Sequence, residues 1–312
     1  MKWIITIPAI LLFALAGCGK DKQSTNELIT VDVTASYPKK ELILQDFMDV
    51  EYIPLETKDD FICQGLVLAI GKDIILARNR IRDGDIFIYD RKTGKGLKKI
   101  NREGQGGEEY TFIQRIVLDE KQNEIFVLDH FSRKISVYDL DGNFKRSLKR
   151  GDELYFFHLY NFNQTSLITN NYWVTDKPAF TIISKQDGTT KQIQIPFKEK
   201  ISMAVNYSDK AKDIYYNVIP DNYNPIIPYF DCWVLVEQSS DTVYKYQSDH
   251  KMIPIIARTP SVQSMNPEVF LFLGILTNRY YFMETVKKEY NFETHEGFPT
   301  TDLLYDKQEK AI

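Results

Sequence analysis

Short runs of alternating apolar and polar residues, broken by Asp/Gly turns, fill most of this chain and predict strands rather than helices. The clearest run is Ile86-Phe87-Ile88-Tyr89-Asp90, followed by Gly94 and then Lys98-Lys99-Ile100. It is echoed 49 residues later by Ile135-Ser136-Val137-Tyr138-Asp139, Gly142 and Lys145-Arg146-Ser147-Leu148. A strand, a tight turn and a second strand recurring in this way mark β-propeller blades, which are about 40–50 residues each. The expected fold class is therefore all-β: a β-propeller of four-stranded antiparallel blades, of six-bladed type with the last blade incomplete.

The pattern divides the chain further. Blade 1 takes strands at 65–70, 73–77, 86–90 and 97–100. Blade 2 takes 111–118, 124–129, 134–139 and 144–149, with Asp141-Gly142 supplying the positive φ angles of a hairpin turn. In blade 3 the pattern suggests strands at 166–169, 172–175, 180–184 and 191–195. Blade 4 follows a long insertion, with strands at 233–237, 242–246 and 252–257. The fifth opens on Pro267 to Leu276, an apolar run read as helical, and continues through 279–284 to Leu303-Leu304-Tyr305-Asp306. The chain then reaches Lys310-Ala311-Ile312, one or two residues into an outer strand. Propellers avoid open edges by letting an N-terminal strand complete the last blade. Val50 to Leu55 is the segment expected to do so here, in a gapped ring, with a closed ring of five blades as the alternative.

The N-terminus changes the picture of where the protein resides. Met1-Lys2 is a short basic start and Trp3 to Ala16 is uncharged and apolar, too short for a membrane span of roughly 20 residues but suited to a signal peptide. Leu15-Ala16-Gly17-Cys18 matches the bacterial lipobox, so residues 1–17 are expected to be cleaved and Cys18 lipidated. The alternative is an anchor helix carrying an incidental cysteine. Residues 18–30 then form a polar tether and 31–312 the propeller domain of an exported outer-membrane lipoprotein, facing the periplasm or the cell surface. The net charge of −4 becomes −5 once Lys2 leaves, with both signs interspersed, so no nucleic-acid partner is expected. Cys63 and Cys232 lie in apolar, strand-like runs and are expected to be buried free thiols rather than a disulfide.

Several segments together resemble a known family. They are Val31-Asp32-Val33, Asp49 to Thr57 (reading DVEYIPLET), Asn101 to Tyr110 with its Gly104-x-Gly106-x-x-Glu109-Tyr110 element, and Val137 to Gly142. This resembles the six-bladed β-propeller lipoproteins of Bacteroidota, relatives of NHL-type propellers, from Cys18 to the chain's end. Gly107 stands where that pattern usually carries proline, and a C-terminal blade is missing. The resemblance implies fold and location and adds little about function.

Candidate chemistry is sparse. Gly104-x-Gly106-x-x-Glu109 looks like a dinucleotide loop, but that motif needs a following helix, and Tyr110 opens a strand. The four histidines, His130, His158, His250 and His295, have no metal-ligand spacing. Asp119, Asp139 and Asp141 read as turn formers. Aromatic stretches remain at Tyr155 to Phe162 and within the insertion 198–230. Strand alternation places blade connectors on one face with the loops between second and third strands, and the hairpin turns on the other. The connector face is the expected contact surface, through Arg102, Glu109, Tyr110, His130 and Arg133, with Tyr155, His158 and Tyr160 nearby. The reading that follows is a binding module for a glycan, peptide or envelope protein, with no cofactor. The alternatives are a lactonase-like hydrolase or lyase with a channel metal, or a shortened non-functional relative.

Overall fold

A computed structural model describes residues 28–43, 45, 47–80, 83–149, 156–171, 178–221 and 223–312. Cys18, Tyr155 and the strand expected at 172–175 lie outside the described residues. The first strand is β1 (Ile29–Asp32). Blade 1 comprises β2 (Leu66–Ile70), β3 (Ile74–Arg78), β4 (Asp85–Asp90) and β5 (Gly96–Asn101). Blade 2 comprises β6 (Ile113–Asp119), β7 (Glu124–Asp129), β8 (Lys134–Tyr138) and β9 (Phe144–Lys149). In blade 3 the strands are β10 (Phe156–Asn161), β11 (Ser166–Asn171), β12 (Phe180–Ser184) and β13 (Thr190–Ile193). A separate hairpin follows, β14 (Val205–Asp209) with β15 (Ile214–Val218). Blade 4 is β16 (Ile226–Tyr229), β17 (Cys232–Leu235), β18 (Thr242–Gln247) and β19 (Met252–Thr259). The fifth sheet has three strands, β20 (Val269–Leu276), β21 (Tyr280–Lys287) and, after a small hairpin of β22 (Tyr290–Asn291) and β23 (Glu296–Gly297), β24 (Thr300–Asp306). Each blade is an antiparallel meander in chain order, the architecture of a β-propeller.

The strands form here because both faces of each sheet are covered, by a neighbouring blade or by a segment laid across it. Ile86 and Ile88 pack towards blade 2, whereas Phe87 and Tyr89 pack on the opposite side. Fully burying side chains of this kind contributes about 1.5–3 kcal/mol each. The β20 segment, which the sequence suggests as helix, shows the same logic. Leu271 and Leu273 face blade 4, while Phe270 and Phe272 face the other way. An unbroken apolar run fits a strand buried on both faces as well as it fits a helix, and packing on two sides settles it. Blade 3 is shifted for a related reason: the aromatic stretch Phe156–Asn161 is its inner strand rather than a surface connector.

Polar staples hold adjacent blades in register, most of them on the hairpin-turn side. The Glu120 carboxylate accepts from the backbone N–H groups of Lys72, Asp73 and Ile74 in the preceding blade. Arg102 Nε donates to Gly142 O at 2.8 Å, and Arg146 Nε donates to Lys185 O at 2.9 Å. Lys185, buried between blades 2 and 3, donates to Asp119 (2.5 Å), Asn161 Oδ1 (2.7 Å) and Asn163 O (2.6 Å). Asp139 forms its turn by accepting from the Asp141 and Asn143 backbone N–H groups, and Gly142 sits at φ +84°.

The ends of the arc are joined differently from the sequence expectation. Val50 to Leu55 forms no strand; Pro54 lacks the N–H that a paired strand would donate. Instead β1 adds in parallel to the outer strand β19 of blade 4, with Val31 opposite Arg258. The chain then runs as a strap. Tyr37 packs at the blade 4–blade 5 core, and Phe47 packs on Tyr280 and Phe282 of blade 5. Leu55, Phe61 and Cys63 close over the free face of blade 1. There Glu56 N donates to Gly94 O at 2.8 Å, and Gly96 N donates to the Glu56 carboxylate at 2.9 Å. Gly94, at φ +68°, must be glycine, because a Cβ would sit 1.9 Å from Pro54 O. Cys63 and Cys232 are free thiols; Cys63 is only half-buried, because it belongs to this strap rather than to a blade interior.

Candidate binding face

The connector face is built around Asp129, the last residue of β7. Its fully buried carboxylate accepts from Thr111 N (2.6 Å) and Oγ1 (3.0 Å) on the incoming connector. It also accepts from Phe131 N (3.0 Å) and Ser132 N (3.2 Å) in the β7–β8 loop. One side chain thus fixes two loops against each other. Burial pushes its pKa up, but the hydrogen bonds from Ser132 and Thr111 outweigh that and hold it below the ordinary aspartate value. Lys134 Nζ adds a link to Gly107 O at 2.8 Å.

This frame presents three rings in mutual edge-to-face contact. Phe131 lies 5.5 Å from Phe112 and 4.9 Å from His130, and Phe112 lies 6.0 Å from His130. Phe131 is 65% exposed. Neither phenylalanine was an expected contact residue. The available signal was an apolar residue inside a run of turn formers, His130-Phe131-Ser132-Arg133.

The expected contact residues separate into four groups. His130 and Arg133 sit in the exposed loop beside Phe131, with Arg133 in a left-handed conformation at φ +50°. Arg102 lies at the start of the neighbouring connector, but its guanidinium reaches Gly142 O in the β8–β9 turn, and Glu109 turns inward to accept from Gly106 N at 2.7 Å. Tyr110 is taken out of reach. Its ring is fully buried, packed edge-on against Tyr138 at 5.9 Å, and its hydroxyl donates to Gly84 O at 2.6 Å. Burial drives its pKa upward. It is a packing residue between blades 1 and 2. His158 and Tyr160 are displaced to the inner strand β10, where His158 Nδ1 meets Asn170 Oδ1 at 3.0 Å. Tyr160 packs on Trp233 of blade 4 at 5.3 Å. Burial holds the His158 pKa below its usual value and raises that of Tyr160. Among the described residues, no group of three or more His, Cys, Asp or Glu side chains is placed to share a metal ion.

Both inserted hairpins fall on this same face, since β14–β15 lies in the connector between blades 3 and 4. The β22–β23 hairpin replaces the loop between the second and third strands of blade 5. A family model for a 6-bladed beta-propeller, DUF5128, matches residues 19–312. The chain belongs to the DUF5128 family. Two solved structures share the fold. One is a Bacteroides fragilis protein classed as exported, 14% identical, covering 91% of this chain and 78% of its own, with a TM-score of 0.55. The other is a DUF4221-family member from Bacteroides vulgatus, 12% identical, covering 83% of each chain, with a TM-score of 0.52. No curated protein sequence matches significantly. For this DUF5128 chain the described residues form five blade sheets, with the strap laid from blade 4 across blade 5 to blade 1.

Proposed function

We propose that this protein is an exported, lipid-anchored propeller that acts as a binding module in the cell envelope, with the connector face as its contact surface. The observation that carries this reading is Phe131, left 65% exposed in a ring cluster whose loops are pinned by a buried carboxylate. An aromatic side chain held rigid before binding offers contact area at little entropic cost. A partner protein or peptide that inserts an apolar side chain against Phe131 fits this surface. Among the described residues no helix is long and apolar enough to cross a membrane, and attachment in this reading rests on acyl chains at Cys18. Each buried methylene of such chains contributes about 0.8 kcal/mol.

Two measurements test the proposal. Cys18→Ala abolishes acyl labelling and moves the protein to the soluble fraction; unchanged membrane retention removes the anchor. A photo-crosslinking residue at 131 captures an envelope partner in intact cells, while the same residue at 141, on the opposite face, does not. Equal capture at both positions, or none at 131, removes the connector face from the proposal.

A further inference from the structure

The hairpin β14–β15 carries a second surface with a different chemistry. Its register sets Tyr207 opposite Tyr216, Asn206 opposite Asn217 and Ser208 opposite Tyr215. Side chains alternate along strands, so Tyr207 and Tyr216 share one face, and Asn206, Ser208, Tyr215 and Asn217 share the other. The first face is anchored. Phe292, in the β22–β23 turn, lies 5.2 Å from Tyr207 and 6.0 Å from Tyr216, with ring planes 32° and 26° apart. The second face looks into solvent, and Tyr215 on it is 65% exposed.

On that open face the polar groups are organised around the ring. Asn206 Oδ1 accepts from Tyr215 Oη at 3.1 Å and from Asn217 Nδ2 at 2.7 Å. Tyr215 is thereby held in place, while the two N–H donors of Asn206, the Asn217 oxygen and the Ser208 hydroxyl can serve an external ligand. The face carries no carboxylate or ammonium group. At the adjoining turn, Asp209 and Lys212 pair with each other at 3.6 Å.

We propose that this face binds a neutral saccharide. A pyranose ring offers an apolar C–H face to stack on Tyr215 and vicinal hydroxyls that alternate as donors and acceptors towards Asn206, Asn217 and Ser208. The absence of formal charge on the face selects a neutral polymer over an acidic one. The proposal rests on the connector face being a binding surface, but its residues are separate from the Phe131 cluster.

Affinity electrophoresis in gels containing galactomannan, xyloglucan, mixed-linkage β-glucan or polygalacturonate tests it. The protein is retarded by at least one neutral polymer. Tyr215→Ala and Asn206→Ala each weaken that retardation roughly tenfold, Tyr215→Phe weakens it less, and Lys121→Ala, an exposed change on the hairpin-turn side, leaves it unchanged. Matching far-UV circular dichroism of the variants confirms that they fold. No retardation by any neutral polymer, retardation by polygalacturonate alone, or retardation indifferent to Tyr215→Ala overturns the saccharide site. Loss with Phe131→Ala but not Tyr215→Ala also overturns it, yet leaves the connector face as the binding surface.

Discussion

Blade 2 and blade 5 share a signature strand but are finished by different means. Blade 2 has four strands, and blades 1 and 3 seal its two faces with Ile125 and Val127 on one side and Phe126 and Leu128 on the other. Blade 5 has three strands, and its outer position is marked only by a bridge between Asp306 and Ala311. One of its faces is sealed by blade 4. The other is covered by borrowed pieces: Ile201 and Met203 from the insertion, Val262, Phe298 and, from the strap, Phe47. A blade therefore needs two covered faces, but not necessarily two neighbouring blades. Any segment that brings apolar side chains to the sheet satisfies the same requirement.

The most direct way to break this comparison is to empty one buried ring in each sheet. Phe126→Ala removes a fully buried ring clasped between blades 2 and 3, and should cost about 3–5 kcal/mol in a denaturant melt. Phe272→Ala in blade 5 should cost less, nearer about 3 kcal/mol, because the single segments covering it can collapse into the space. Equal losses would mean that the borrowed cover is packed as firmly as a blade.

The strap can be tested next. Gly94→Ala forces a β-carbon against Pro54 O in a left-handed conformation, at a cost of about 1–3 kcal/mol, and should raise proteolysis near 53–57. Gly142→Ala, whose Cβ would meet only the Ile100 side chain at 3.0 Å, should leave the strap protected. Cleavage at the strap in both variants would show that its hold does not depend on the Gly94 contact.

Acid titration sharpens the contrast at the edges. The Arg279 guanidinium beside Asp306 pulls that carboxyl down to about 2, and Arg146 with Lys145 holds Glu124 below its usual value despite burial. Both are depressed carboxylates, so their contribution is present above the unfolded-state pKa and is lost as pH falls through the folded value. For Asp306 that window runs from about 4 to about 2. Asp306→Asn should flatten the fall in stability across it, and Glu124→Gln should do the same at the interior site. An unchanged profile in Asp306→Asn would show that the blade 5 edge is not held by this pair.

The smallest effect on stability is expected at Phe131→Ala, within about 0.5 kcal/mol of the parent in a thermal melt. A larger loss would make Phe131 part of the packing that seals blade 2, and would weaken its reading as a contact residue.

Much of this was legible from spacing. The 49-residue echo of Ile86–Asp90 in Ile135–Asp139 places blades 1 and 2, since alternation with Asp/Gly turns is a local property of the chain. The binding face was only partly legible. Side-chain type singled out His130 and Arg133 but also Tyr110, and nothing local distinguishes a tyrosine whose hydroxyl ends on Gly84 O from one that faces solvent. Phe131 and Asp129 escaped notice because their roles exist only when Thr111, 18 residues away in sequence, folds back beside them.

The sequence by itself determined the all-β class, the four-stranded unit and its turns, because strand period and turn residues act within a few positions. The tertiary structure alone decided that Val269–Leu276 is a strand, that β1 joins blade 4, that 53–63 covers blade 1, and that two hairpins from different blades meet at Phe292. Each of these depends on which apolar face finds a partner far along the chain. Burial rewards any such partner that fits, so only the assembled fold selects one.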